Sequence, residues 1–323
     1  MKKHHIGAAL LILTIVASCN SAPTLTATSA PLETDKPAAT VTPPALPTLP
    51  VAPTVPLTFP EIAFATTRDG NSEIYVMNED GSGQTNLTQN SASDTNPAWS
   101  PDHSRIAFVS DRDANNDIYV INADGSNPIN LTHNPALDGF PAWSPDGSQI
   151  AYSSYAQSVD DIYVMNADGT GQAKLPNTEG LGGSPIAWSP DGKQLVFVTY
   201  AFGDTGDIYV INTDGSGLTR LTAQATGAAW SPDGKQIVFG SYHDTPGKME
   251  IYLMNADGSN PVNLTNNPAD DKNPAWSSDG MQIVFESDRD GNNEIFVMNA
   301  DGSRQTNLTQ SPGYDSSPVW SSE

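Results

Sequence analysis

One interval governs this chain. Tryptophan falls at 99, 143, 188, 230, 276 and 320, with gaps of 44, 45, 42, 46 and 44 residues. A second landmark, Ile before Tyr or Phe, falls at 74, 118, 162, 208, 251 and 295 and keeps the same interval. Repeats of 40 to 50 residues built from strand-like pieces predict a propeller, in which each unit is one blade. Each unit divides into four short strands. The first ends at Trp, as in "PAW"; the second reads "IAFVS" or "QIVFGS"; the third reads "DIYVMN"; the fourth is "NLT" or "RLT". The alternation of apolar and polar residues suits strands packed between neighbouring sheets.

Turn chemistry marks the divisions. "SPDG" stands between first and second strands, with His103 in place of Gly in one unit and Ser278 in place of Pro in another. "NADGS" or a close variant stands between third and fourth. Pro presets one turn position and Gly supplies the left-handed one. Four fourth strands spell Asn-Leu-Thr, a glycosylation acceptor pattern, but its recurrence where Leu should be buried reads as packing.

The repeat frame is offset at both ends. The first unit opens at Ile62 without a first strand, and Pro318 to Trp320 form a first strand with nothing after it. The C-terminal strand is therefore expected to complete the N-terminal blade, closing an all-β ring of six blades with four antiparallel strands each.

The phrase D-x-x-P-x-W-S-P-D-G, followed by "IAF", "S-x-R-D-G", "IYVMN" and "LT", resembles the TolB-type, WD-like propeller repeat. The resemblance covers about 260 residues, from Phe59 onward. It implies a propeller built of these repeats. It stops at the propeller: where TolB proteins carry an α/β domain, this chain has a Pro/Thr linker.

Residues 1–18 read as a signal peptide. Lys2 and Lys3 precede an apolar run, Ile6 to Val16, too short to span a bilayer, and "VASC" follows. This resembles a bacterial lipoprotein signal and implies cleavage before Cys19, whose sulfur would carry the lipid and form the only membrane contact. The expected protein is thus exported and anchored, periplasmic or at the cell surface. Residues 19–58 form a tether: from residue 20 it holds nine Pro, nine Thr and seven Ala. Such a segment buries no core, and at about 3.1 Å per residue it reaches roughly 120 Å when extended. Residues 59–323 are the propeller. Cys19 is the sole cysteine, so no intramolecular disulfide forms. A formal charge of −23 repels phosphate backbones, which excludes nucleic acid as a partner.

Turns after first and third strands share one face of the ring, and those after second and fourth share the other. The first face repeats almost unchanged, with eleven Asp including Asp102, Asp146, Asp191, Asp233 and Asp279. The second face varies. Arg68, Arg112 and Arg289 occupy its loops in the first, second and sixth blades, and those blades also carry Asp315, Asp94 and Asp271 five residues before a Trp. An ion pair within each blade is expected, of about 0–1 kcal/mol if exposed. The fourth and fifth blades lack both partners, and the third has Asp138 without an Arg. In those three blades the loops offer Tyr155, Tyr200, Phe202, Tyr242 and His243, residues suited to a recognition rim.

No catalytic constellation is visible. His103 and His133 stand at opposite ends of the second repeat and His243 in the fifth, no G-x-S-x-G elbow exists, and "GLGG" at Gly180 lacks a following helix. "DRDGNNE" at Asp288 reads better as a hairpin turn than as a calcium loop. The sequence therefore favours a monomeric binding or scaffold module for an envelope protein, peptide or glycan, without cofactor or metal. An enzyme acting on carbohydrate or peptide through rim carboxylates, and a structural propeller stabilised by Ca2+, are the alternatives.

Overall fold

The computed structural model describes residues 61–199, 206–243 and 247–321. Cys19, the signal and the tether lie outside the described residues. Every regular element among those described is a β-strand. Blade one orders Asp315–Trp320, Glu61–Thr66, Glu73–Asn78 and Thr85–Asn86. Blade two holds Asp94–Trp99, Arg105–Ser110, Asp117–Asn122 and Ile129–Asn130; blade three holds Leu137–Trp143, Gln149–Ala156, Val159–Asn166 and Ala173–Lys174. Blade four begins Gly183–Trp188, Gln194–Thr199 and Gly206–Asn212, and blade five ends Gln236–Ser241, Glu250–Asn255 and Val262–Asn263. Blade six is Asp271–Trp276, Gln282–Ser287, Glu294–Asn299 and Thr306–Asn307.

The ring closes as the offset frame requires. Ile62 pairs with Trp320, Ala63 with Val319 and Thr66 with Asp315, all antiparallel. Trp320 and Phe64 are buried in the same apolar cluster, which also takes Val284 and Ile295 from blade six. Blade one's opposite face, with Ala63 and Ile74, packs on Trp99, Ile106 and Phe108 of blade two. Period-two alternation thus feeds two inter-blade cores at once, each fully buried Phe or Ile contributing about 2 kcal/mol.

Blades four and five depart from the separate-strand expectation. Thr219–Trp230 is one twelve-residue strand that pairs with Gly206–Asn212 through its first half and Gln236–Ser241 through its second. The reason is length. Leu221 lies nine residues before Trp230, whereas Leu87, Leu131, Leu264 and Leu308 lie twelve before theirs. The shortened connection leaves no loop, and the chain runs straight through.

The inner strands share a defect with a purpose. Register shifts interrupt them before Ala-Trp, and Asn96, Phe140, Gly227, Asn273 and Ser317 there adopt φ near +50°. Such bulges bend a strand and raise its twist, as tight packing around an axis demands. At Gly227 a side chain would also collide: an added Cβ would lie 2.9 Å from the Asn273 Cα of the next blade.

Asn-Leu-Thr proves structural in all three letters. The Asn86 carboxamide oxygen accepts from the backbone N–H groups of Thr88 and Gln89, at 3.0 and 3.1 Å. The Thr88 hydroxyl accepts from the Ile74 N–H at 3.0 Å and donates to Glu73, and Thr309 repeats this with Ile295 and Glu294. Leu131 and Leu308 are buried. A local side-chain cap thus ends the outer strands that carry Asn-Leu-Thr.

Candidate recognition face

The two faces differ in how far they satisfy themselves. On the face of the "SPDG" and "NADGS" turns, each Asp caps its own turn. Asp146 Oδ1 accepts from the Ser144 hydroxyl at 2.7 Å and the Ser148 N–H at 3.0 Å, and these bonds hold its pKa down at about 2. Asp80, Asp124, Asp257 and Asp301 do the same with the Ser two residues on. His103 closes its turn at φ +57°, the conformation Gly takes in the sister repeats.

On the opposite face the arginines form built-in plugs. Arg68 Nη2 lies 3.2 Å from Asp315, Arg112 Nη2 3.1 Å from Asp94, and Arg289 Nη2 2.9 Å from Asp271. These are not surface pairs worth a fraction of a kcal/mol: all three Asp side chains are wholly buried beneath the guanidinium. Each guanidinium also stacks on two aromatic rings, Arg112 over Phe108 at 5.4 Å and Tyr119 at 4.6 Å. Its Nε donates to a Ser or Thr hydroxyl, Ser110 in blade two at 2.8 Å. In blades one and six Nη1 donates to Gln84 and Gln305. The pair that runs between Arg68 and Asp315 joins the two ends of the propeller.

Of the rim aromatics, Tyr155 is 47% exposed and stands beside its register partner Leu137, 48% exposed, while exposed Val159 pairs with Ala156 on the hairpin's other face. The exposure of Leu137 and Val159 was hidden in the sequence because both flank turns, where they read as strand ends. Tyr242 is half-buried and its N–H donates to the Gln224 carbonyl at 3.3 Å. The His243 ring meets Tyr252 edge-on, with centroids 5.9 Å apart. Tyr155 and Tyr242 belong to blades three and five and do not share a cluster; Tyr200 and Phe202 lie outside the described residues.

Two polar groupings escaped the sequence reading. Glu286 is buried on the second strand of blade six, where the other blades place Ala65, Val109, Ser153, Val198 and Gly240. It gathers Asn273 at 2.7 Å, Asn293 at 2.8 Å and Lys272 at 3.7 Å, and Lys272 also donates to the Tyr314 hydroxyl at 3.1 Å. Comparing the repeats position by position would have exposed it. In blade two, Asp113, Asp117 and His133 place ligand atoms within 4.8 Å of one another. Their carboxylates are already engaged: Tyr119 and Asn130 donate to Asp113, while Asn115 and Asn130 donate to Asp117. Within the ring, residues from all six inner strands bound a central cavity of ≈ 710 Å³.

The TolB beta propeller domain family matches residues 49–138, 122–245 and 226–323. The chain belongs to that family. Among solved structures, the TolB propeller here is similar to TolB from Acinetobacter baumannii, with a TM-score of 0.72 and 23% identity over 82% of this chain and 67% of that one. A putative TolB from Agrobacterium tumefaciens gives 0.61 at 23% identity, covering 77% and 88%. An oligogalacturonate lyase in complex with manganese gives 0.56 at 16% identity, covering 77% and 73%. These likenesses show the fold. A comparison with curated proteins finds no sequence match.

Proposed function

We propose that this TolB-type propeller is an extracytoplasmic binding module, held to the membrane by lipid on Cys19 and presenting its variable face to a protein, peptide or glycan of the cell envelope. One observation carries the reading. The face of capped Asp turns repeats almost unchanged, while the opposite face departs from the repeat and leaves Tyr155 with Leu137, and Tyr314, exposed. Exposed tyrosines in loops where the repeats differ offer the apolar ring and polar tip that recognition uses. The signal and the linker support export and a tether; the acidic surface disfavours anionic partners.

The test is affinity capture from envelope extract with the propeller and with its Tyr155→Ala, Tyr242→Ala double variant. Capture of a specific ligand by the first and not by the second, at equal melting temperature, is the expected result. Equal capture by both removes this rim from the site. Labelled palmitate incorporation, lost on Cys19→Ser, checks the anchor.

A further inference from the structure

Blade three keeps almost everything that receives an arginine in its sister blades and has no arginine of its own. Ala156 stands two residues after Ser154, as Arg112 stands two after Ser110. Asp138 occupies the place of Asp94, Asp271 and Asp315. Gln172 occupies the place of Gln84 and Gln305, and its Nε2 donates to the Leu131 and Gly169 carbonyls as Gln305 does to Leu264 and Gly302. The ring pair is present as well, Tyr152 and Tyr163 with centroids 5.7 Å apart.

The receiving groups are underused. Asp138 is 1% exposed, and its Oδ1 has no hydrogen-bond partner, although both oxygens of Asp94 lie within 3.2 Å of Arg112 Nη2. Burial pushes the Asp138 carboxyl up despite the lowering pull of Ser154, Thr132 and Asn134, and the charge of Asp117 adds to the rise. Among the described residues no cation pairs with it; Lys174 pairs with Asp161 and Glu179 instead. Tyr152 is the one Tyr where five blades have Phe, and its hydroxyl donates to Gln172 Oε1 at a long 3.4 Å. That hydroxyl takes one contact of a guanidinium and supplies none of its charge.

Blades four and five, by contrast, have discarded the carboxylate together with the arginine. A buried carboxylate retained without its partner is costly unless a partner arrives. We propose that blade three receives an arginine side chain from a bound peptide, held by Asp138, Gln172 and the Tyr152–Tyr163 ring pair. The exposed Val159, paired with Ala156 on the sheet face of Ser154 and Asp138, covers an apolar residue that flanks it. A guanidinium suits the site better than an ammonium, since the sister blades use its planar fork to reach Asp, Gln and two ring faces together. The net charge of −23 favours a basic segment as visitor. Beside the site the hairpin is lengthened: Gln157 and Ser158 turn at φ +53° and +66°, carrying Tyr155 and Val159 outward.

This inference rests on the variable face being the binding face and names the ligand class. The test uses the full chain in detergent and three probes, acetyl-Leu-Arg-Leu-amide and its lysine and citrulline counterparts, titrated by calorimetry. The arginine peptide is expected to bind, with citrulline at least tenfold weaker and lysine between them. Asp138→Asn should weaken arginine-peptide binding at least tenfold, Tyr152→Phe should tighten it by freeing Gln172, and Ala156→Arg should abolish it by filling the site in cis. Equal binding of the arginine and citrulline peptides, or undiminished binding to Asp138→Asn and Ala156→Arg, overturns the proposal, as does no binding to both the parent and Tyr152→Phe. A propeller that captures its ligand elsewhere on this face would fail here and still pass the capture experiment.

Discussion

Glu286 and Ser317 belong to different blades, yet Glu286 Oε1 accepts a 2.6 Å hydrogen bond from the Ser317 backbone N–H. Ser317 is the bulge residue of the strand that closes the ring. The same carboxylate holds Asn293, whose amide also donates to the Asp315 carbonyl at 2.6 Å. One buried acid therefore grips the closing strand at two points.

Replacing Glu286 with Ala should destabilise the propeller by about 3 kcal/mol, because Lys272 and three donors lose a charged acceptor together. Glu286→Gln, which keeps one acceptor oxygen, should cost less. Urea titration of the three proteins checks the order.

The arginine plugs make a sharper prediction. Arg112→Met leaves Asp94 charged with a side chain that is wholly buried in the parent, and should cost about 3–5 kcal/mol. Adding Asp94→Asn should restore a large part of that loss, a coupling that a double-mutant cycle in denaturant reads directly.

Asp160 gives a pH dependence with a definite sign. Burial, then the charge of Asp161, raises its pKa from 3.8 to about 6, and its Oδ1 has no hydrogen-bond partner. The folded state holds this proton more tightly than the unfolded chain, so the contribution is complete below about pH 4 and lost as pH rises through about 6. Asp160→Asn should therefore raise the melting temperature at pH 7.5 and leave it unchanged at pH 3.5. A rise of equal size at both pH values would contradict this.

His103 carries a left-handed φ of 57° and a buried Nε2 without a partner. His103→Gly restores the residue found in the sister turns and should stabilise by roughly 0.5–1 kcal/mol, seen as a shifted denaturation midpoint with unchanged slope.

Much of the architecture was legible because a propeller repeats its own evidence. Trp spacing marks the blades, and the orphan "PVW" at Pro318 points to Ile62 as its strand neighbour. Coincidence of Arg and Asp across repeats pointed to ion pairs, but nothing in the letters placed Asp94 wholly beneath a guanidinium stacked on Phe108 and Tyr119. The continuous strand Thr219–Trp230 left only a trace, the gap of 42 between Trp188 and Trp230. Glu286 gave no signal in the letters, since its partners come from three separate segments. The recognition face was the least readable part. It lives where repeats differ, and there each residue has one witness instead of six.

The pairing of Ile62 with Trp320 also sets a timetable. The strand that starts the ring must wait for residues 315–320 to be synthesised, and until then its edge is open to any stray strand. Such a contact, spanning nearly the whole propeller, is slow to form because loop closure precedes its reward. For a chain made from one end to the other, this ring matures only after its last strand has emerged, and until then Ile62 lies on an unfinished edge.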